Sequence, residues 1–93
     1  MTYTIKQVSE MMSLPISTIR YYDKMGLIPF LEKNDSGYRI FKDDDIAMLR
    51  IIECFKRTGM SISEMQQFVE MVQRGDESLE ERYELFKKRK KLF

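Results

Sequence analysis

The fold is decided by the stretch Ser17-Thr18-Ile19-Arg20-Tyr21-Tyr22-Asp23, which is followed by the helix-stopping pair Met25-Gly26. A helix from about 16 to 24 separates these side chains by chemistry, because successive residues are ~100° apart around its axis. Apolar groups fall on one side, namely Ile16, Ile19 and Tyr22. Polar groups fall on the opposite side, namely Ser17, Arg20, Tyr21 and Lys24, with Thr18 at the edge. The first set predicts the buried side of the helix and the second its exposed side.

The exposed side of this helix carries the chemical groups that DNA contacts require. An arginine can bridge the acceptors of guanine, and the hydroxyls of Ser, Thr and Tyr donate to phosphate oxygens. An ordinary solvent-exposed helix face has a similar composition. Taken alone, the pattern therefore leaves a DNA-reading helix and an ordinary helix face as two open interpretations.

A shorter helix is predicted just before the decisive stretch. Thr4-Ile5-Lys6-Gln7 has the form of a capping box, which predicts a helix from about 5 to 12. Val8, Met11 and Met12 have helical spacing and are expected to form its buried stripe. Ser13-Leu14-Pro15 then interrupts the chain. Two short helices joined by a tight turn predict a helix-turn-helix.

A β-hairpin is predicted after the helix pair. Residues 30–33 and 38–41 are two short runs that flank the turn Asn34-Asp35-Ser36-Gly37. The hairpin would lie as a wing beside the helices. Alternation along its second strand places Tyr38 on one face and Arg39 on the other. Arg39 is then either a phosphate ligand beside the DNA groove or a solvent-exposed arginine.

Two further helices are predicted next. Asp43-Asp44-Asp45 opens the third helix, which runs to about Arg57, because acidic groups favour the positive end of a helix. Capping explains this triplet better than metal binding, since three consecutive carboxylates at a helix start cannot all face one ion. Ser61-Ile62-Ser63-Glu64 is a second capping box and opens the fourth helix. The connection between these helices is expected to touch phosphate through Lys56 and Ser61. Their inward residues are expected to be Met48, Ile51, Ile52, Phe55, Met65, Phe68, Val69 and Val72.

The C-terminal stretch predicts a helix that needs a partner. Its side chains with heptad-like spacing are Leu79, Tyr83, Phe86 and Phe93. A second copy of the chain is the simplest partner surface, and packing onto the small domain is the competing interpretation. The sequence thus predicts a mainly α fold with a winged helix-turn-helix domain over residues 1–75. A dimerisation helix, of coiled-coil type, is expected over residues 76–93.

Composition excludes several classes of function. The chain has 93 residues, of which 43% are hydrophobic, and this suits one small globular domain. No apolar run approaches the ~20 residues that span a bilayer, and a secretory signal is lacking, so we expect a cytoplasmic protein without a membrane partner. Cys54 is the single cysteine and histidine is absent, so we expect no metal or cofactor. With no nucleophile–base pair or Gly-rich phosphate loop, we expect no enzyme. The net charge is only +1, so DNA would have to meet a local basic surface.

The chain resembles the MerR (mercury-resistance regulator) family of bacterial transcription regulators. The resemblance covers about residues 3–75 and rests on segments that occur together and in order, which makes it specific. These segments are Tyr3-Thr4-Ile5, the decisive stretch 17–23, Gly26-Leu27-Ile28-Pro29, Gly37-Tyr38-Arg39 and Thr58-Gly59-Met60-Ser61-Ile62.

The resemblance implies DNA-binding roles for eight residues. The helix over 16–24 would enter the major groove, where Arg20 would read bases together with Ser17 and Thr18. Phosphates would be held by Tyr21, Tyr38, Arg39, Lys56 and Ser61. Tyr22 faces inward by its helical phase and is expected in the core.

The resemblance also implies how the protein acts. Family members dimerise through an antiparallel coiled coil that follows this domain, which matches a helix starting at Leu79. They bind promoters whose elements are too far apart, and they bend and untwist the DNA so that RNA polymerase engages both elements. Polymerase is therefore an indirect partner. The family usually continues into an effector-binding segment, whereas this chain stops at Phe93, so we expect a truncated chain whose effector cannot be read.

Cys54 is one further clue to a signal. One branch of the family senses electrophiles or oxidising stress through a cysteine in this helix, and the segment from Cys54 to Met60 resembles that arrangement. Lys56 and Arg57 would place positive charge near the thiol. The alternative is that Cys54 is a small buried residue beside the apolar stripe.

Two other functions remain open at this point. An excisionase-like architectural protein also bends DNA with a small winged helix pair, and it need not dimerise through a coiled coil. A protein-interaction module or anti-repressor would use the same surface on an acidic partner. Substitution of Arg20 would weaken DNA binding in the first case, and DNA would be irrelevant in the second.

Overall fold

A computed structural model of the chain describes residues 1–74. The order of elements in this range is β1 (Thr2–Tyr3), α1 (Ile5–Met12), α2 (Ile16–Lys24), β2 (Glu32–Lys33), β3 (Arg39–Lys42), α3 (Asp43–Arg57) and α4 (Ile62–Arg74). The predicted helix-turn-helix, hairpin and two further helices are all confirmed. The expected dimerisation residues Leu79, Tyr83, Phe86 and Phe93 lie outside the described residues.

Both predicted capping boxes are present. At the start of α1, the Thr4 hydroxyl accepts the Gln7 amide N–H at 3.1 Å, and the Gln7 side chain accepts the Thr4 N–H at 2.8 Å. At the start of α4, the Ser61 hydroxyl accepts the Glu64 N–H at 3.1 Å, and the Glu64 carboxylate accepts the Ser61 N–H at 3.1 Å. These bonds satisfy amides that the first turn of a helix would otherwise leave unpaired.

The acidic triplet caps the start of α3, as predicted, and Asp45 makes the capping hydrogen bond. Asp45 is 2% exposed, and its carboxylate accepts the backbone N–H of Lys42 at 2.8 Å. Asp43 instead accepts the Tyr3 hydroxyl at 3.2 Å, which ties the N-terminal strand to the helix start.

The wing belongs to a three-stranded antiparallel sheet with the order β1-β3-β2. β2 and β3 form the predicted hairpin, and the Asn34 side chain closes its turn by accepting the N–H groups of Ser36 and Tyr38, each at 3.0 Å. Gly37 supplies the positive φ of 85° that this turn requires. Strand β1 was not predicted, because two residues are too few to show an alternating pattern. It pairs Tyr3 with Phe41 on the central strand.

The core lies between the sheet and the four helices. Its fully buried side chains include Ile19, Leu49, Ile52, Phe55 and Phe68. The rings of Phe55 and Phe68 meet edge to face with centroids 4.9 Å apart, and they join α3 to α4. Most of the inward residues predicted for these helices are buried, including Tyr22, which is 3% exposed, whereas Ile16, Ile51 and Val72 are only half-buried.

One predicted core residue is wrong. Met11 was expected in the buried stripe of α1 but is 49% exposed. The stripe is instead formed by Val8 with the half-buried Ile5 and Met12. These three residues fall within about 60° of one another around the helix axis, and Met11 lies beyond the edge of that arc.

Long-range hydrogen bonds fix α2 on its neighbours. The Tyr22 hydroxyl donates to the Glu53 carboxylate of α3 at 2.5 Å. The Gln66 side chain of α4 donates to the Met25 carbonyl, just past the end of α2, at 2.9 Å. Two packed helices therefore set the position of α2. No helix within residues 1–74 combines the length and apolar character needed to cross a membrane.

Candidate nucleic-acid interface

The exposed face of α2 has the composition that its helical phase predicts. Ser17, Arg20 and Tyr21 are exposed, and Thr18 is half-buried. Ile19 and Tyr22 on the opposite face are buried in the core. Because α3 and α4 hold α2 on its buried, apolar side, its polar face is presented to solvent in a fixed orientation.

One groove lies between the N-terminal residues 2–7 and the wing, with Arg20 of α2 at its side, and we call it the wing groove. It encloses about 360 Å³ and brings Arg20 of α2 together with Tyr38 and Arg39 of the wing. Tyr38 is 72% exposed, so its phenol stands open to solvent at the groove. The remaining residues that line it are Thr2, Tyr3, Thr4, Ile5, Gln7, Asn34, Gly37 and Ile40.

A second groove separates α2 from the start of α4, and we call it the helix groove. It encloses about 500 Å³. It brings Ser17, Thr18 and Tyr21 of α2 together with Lys56 in the last turn of α3 and Ser61 in the connection between α3 and α4. Its floor is more apolar and is formed by Tyr22, Met60, Ile62 and Met65.

The two grooves together account for all eight side chains that the sequence assigns to DNA. Their charged side chains are Arg20, Arg39 and Lys56, and no acidic residue is among those that line either groove within residues 1–74. The whole chain has a net charge of only +1. The surface on both sides of α2 is thus a local cationic region with hydroxyl and phenol donors, which suits a polyanion.

Arg39 has a partner that the sequence did not reveal. Its Nε donates to the Asp23 carboxylate at 2.8 Å, and the two side chains are 25% and 24% exposed. The bond joins the last turn of α2 to the first residue of β3. Sixteen residues separate the two groups along the chain, and only the packing of the wing on α2 brings them together.

The lone cysteine lies apart from this surface. Cys54 is half-buried on α3, next to the Glu53 that holds Tyr22, and it lines neither groove. Its sensing and packing interpretations remain predictions.

Comparison with known proteins identifies the family. The family profile described as "MerR HTH family regulatory protein" matches residues 3–72, which is most of the chain. The chain belongs to the MerR family. The family resemblance that the sequence segments between residues 3 and 75 indicate is confirmed by this match. The curated relatives of this MerR chain are transcriptional regulators and not enzymes.

Two curated relatives cover most of the chain. An HTH-type transcriptional regulator of Haemophilus influenzae, itself uncharacterized, is 38% identical over 91 residues, which are 98% of this chain and 67% of the relative. The regulator AdhR of Bacillus subtilis is 35% identical over 78 residues, which are 84% of this chain and 56% of AdhR. The MerR chain thus spans only about half to two thirds of these relatives.

Solved structures of MerR proteins share its fold. A MerR family transcriptional regulator from Bacillus thuringiensis is 46% identical, with a TM-score of 0.79 over 97% of this chain and 79% of that one. HiNmlR, described as a MerR family regulator lacking the sensor domain, is 38% identical, with a TM-score of 0.81 over 98% of this chain and 72% of that one. The HiNmlR structure is bound to promoter DNA.

Proposed function

We propose that this chain is the DNA-binding part of a transcription regulator that binds a two-fold symmetric promoter site as a homodimer. The observation that carries the proposal is the pair of grooves beside α2, which gather three cationic side chains with hydroxyl and phenol donors and are lined by no acidic residue of the described range. The similar HiNmlR bound to promoter DNA supports it.

The position of each side chain suggests its role. Arg20, Ser17 and Thr18 lie on the exposed face of the reading helix α2, where they would meet base edges in the major groove. The other donors lie at the groove walls and would hold phosphates on either side, namely Tyr21, Tyr38, Arg39, Lys56 and Ser61. α2 would then read sequence while the two walls fix its register.

The mode of action follows from two-fold symmetry. We propose that residues 76–93 form the dimer helix, with Leu79, Tyr83, Phe86 and Phe93 facing a second copy. A dimer would place two copies of α2 on successive half-sites, as two-fold symmetric regulators do. Gripping the backbone on both sides of each reading helix would let the dimer bend and untwist the DNA, so that RNA polymerase is affected through the promoter's shape.

Selection from random duplexes tests this proposal. The chain is incubated with a random pool, bound duplexes are sequenced, and sedimentation gives the oligomeric state. We expect a dimer and an inverted-repeat motif. A folded dimer that enriches no motif would contradict DNA recognition and favour a protein-interaction module. A folded monomer that binds single half-sites would contradict the homodimer.

Three substitutions then distinguish base recognition from phosphate contact. Arg20→Ala should reduce the preference for the selected site over random DNA, because a bidentate arginine–guanine contact contributes about 1–3 kcal/mol of discrimination. Lys56→Ala should weaken binding to both DNAs equally and reduce the salt slope by about 0.9 per protomer. Arg57→Ala is the matched control, because Arg57 is exposed but lines neither groove. It should change neither property appreciably.

A further inference from the structure

We infer that Asp23 is a positioning residue for DNA binding, in that it holds the Arg39 guanidinium in place for a phosphate. An acidic side chain beside the interface would then strengthen binding to a polyanion. This inference rests on the proposed function and adds a residue that contacts Arg39 rather than DNA.

The hydrogen bond between these residues connects the two parts of the interface. Asp23 lies in the last turn of α2, and Arg39 is the first residue of β3 in the wing. The Asp23 carboxylate accepts Nε of Arg39 at 2.8 Å. Arg39 also lines the wing groove beside Arg20 and Tyr38. The bond therefore holds the wing against the reading helix α2 through Arg39, which is the side chain that we propose contacts a phosphate.

The location of Asp23 is otherwise unfavourable. A carboxylate near the C-terminal end of a helix meets the negative end of the helix dipole. It also lies at the edge of a surface proposed to bind a polyanion, where a negative charge repels the ligand. Both effects disfavour an acid here, and the bond to Arg39 is the contact that compensates for them.

Folding stability alone does not explain this pair well. Its side chains are each about a quarter exposed, and ion pairs in contact with solvent contribute little to folding. Geometry is the stronger consequence. Among residues 1–74 the bond occupies only Nε, so the planar guanidinium is oriented while the N–H groups on its two Nη atoms remain for a bidentate phosphate contact.

Orienting the Arg39 side chain before DNA binds should increase the affinity for DNA by a measurable factor. A free arginine loses rotamer freedom when DNA immobilises it, whereas Arg39 has already lost much of this freedom to Asp23. Avoiding the loss is worth about threefold to tenfold in affinity per side chain. Removing Asp23 should therefore weaken binding by that factor, although it also removes a negative charge.

A double-mutant cycle tests the inference. Affinity for the selected duplex is measured by fluorescence anisotropy for the wild-type chain, Asp23→Ala, Arg39→Ala and the double variant. We expect Asp23→Ala to weaken binding about threefold to tenfold when Arg39 is present. In the Arg39→Ala background, the same change should leave affinity unchanged or increase it, because only a repulsive charge is lost. Asp35→Ala, at the exposed tip of the same wing, is the charge-matched control and should not weaken binding.

The cycle separates positioning from other causes. If Asp23→Ala binds as tightly as the wild-type chain or more tightly while Arg39 is present, the inference is overturned. Equal weakening in the chain with Arg39 and in the Arg39→Ala chain would also overturn it, because it indicates a folding defect. Asp23→Asn preserves the size of the side chain and should show the same dependence on Arg39 with a smaller amplitude. If the wild-type chain binds no duplex, the proposed function itself fails. If it binds but Asp23→Ala does not weaken binding more in the chain with Arg39 than in the Arg39→Ala chain, only the role of Asp23 is lost.

Discussion

The hydrogen bond from Tyr22 to Glu53 should contribute to stability in a pH-dependent manner. Tyr22 is 3% exposed, and its hydroxyl donates to the Glu53 carboxylate at 2.5 Å. Tyr22→Phe removes this hydroxyl but retains the ring that packs in the core. A hydrogen bond to a charged group contributes about 1.5–3 kcal/mol. Glu53 is half-buried and water can replace the lost donor, so we expect the variant to lose about 1.5–2 kcal/mol of unfolding free energy at pH 7.

The difference should decrease at high pH. Burial, and then the hydrogen bond and charge of Glu53, raise the pKa of Tyr22 well above its ordinary value of 10.0. A phenol whose pKa is raised by folding contributes its full stability below pH 10, and this is lost as the pH rises because only the unfolded chain ionises. At pH 11 the unfolded wild type gains about 1.4 kcal/mol from ionising Tyr22, a gain that the phenylalanine variant cannot make.

Urea titrations followed by far-UV circular dichroism measure both effects, since the chain has no tryptophan. The other tyrosines ionise in both proteins, so their contributions cancel in the difference. Tyr38→Phe is the matched control, because Tyr38 is 72% exposed, and it should change stability by less than about 0.5 kcal/mol. A Tyr22→Phe variant as stable as wild type at pH 7 would refute the argument. A loss that is the same at pH 7 and pH 11 would refute the ionisation step.

Three further stability predictions are each checked by thermal or urea unfolding. Ser61→Ala removes the cap of α4 and should lower the unfolding free energy by about 1 kcal/mol. Ser63 is exposed, so Ser63→Ala should have almost no effect, and equal effects of the two substitutions would contradict the capping argument. Phe68→Ala opens a cavity against Phe55 and should cost about 3–5 kcal/mol, and a cost below that of an exposed substitution would contradict its place in the core. Gly37→Ala should cost about 1–2 kcal/mol from its φ of 85° alone, because no atom lies within 4 Å of an added Cβ, and a neutral result would contradict the turn geometry.

Features with a local chemical signal were predicted well from the sequence. The capping boxes at Thr4 and Ser61 and the turn closed by Asn34 each lie within a few consecutive residues. They set the starts of α1 and α4 and the tip of the wing, and the period of apolar residues supplied the inward faces. The error at Met11 arose because α1 has only eight residues, too few to define the width of its buried stripe.

Contacts between distant residues were not predictable in this way. Tyr22 and Glu53 are 31 residues apart, and neither side chain identifies the other in the sequence. The same holds for Asp23 and Arg39. The types of the eight candidate DNA-binding residues were recognisable, but their grouping into two grooves depends on how the wing and the α3–α4 connection pack against α2. That arrangement is a property of the tertiary fold.

The most direct test of the proposed DNA interface is to map it by NMR. The chain is 11.2 kDa, so amide resonances can be followed while an isotope-labelled sample is titrated with the selected duplex. The account predicts the largest shifts along α2 and at both groove walls, at residues 17–21, 37–39 and 56–61. Shifts concentrated elsewhere, such as around the exposed Asp43 and Asp44 at the start of α3, would contradict the claim that α2 and its two flanking grooves bind DNA.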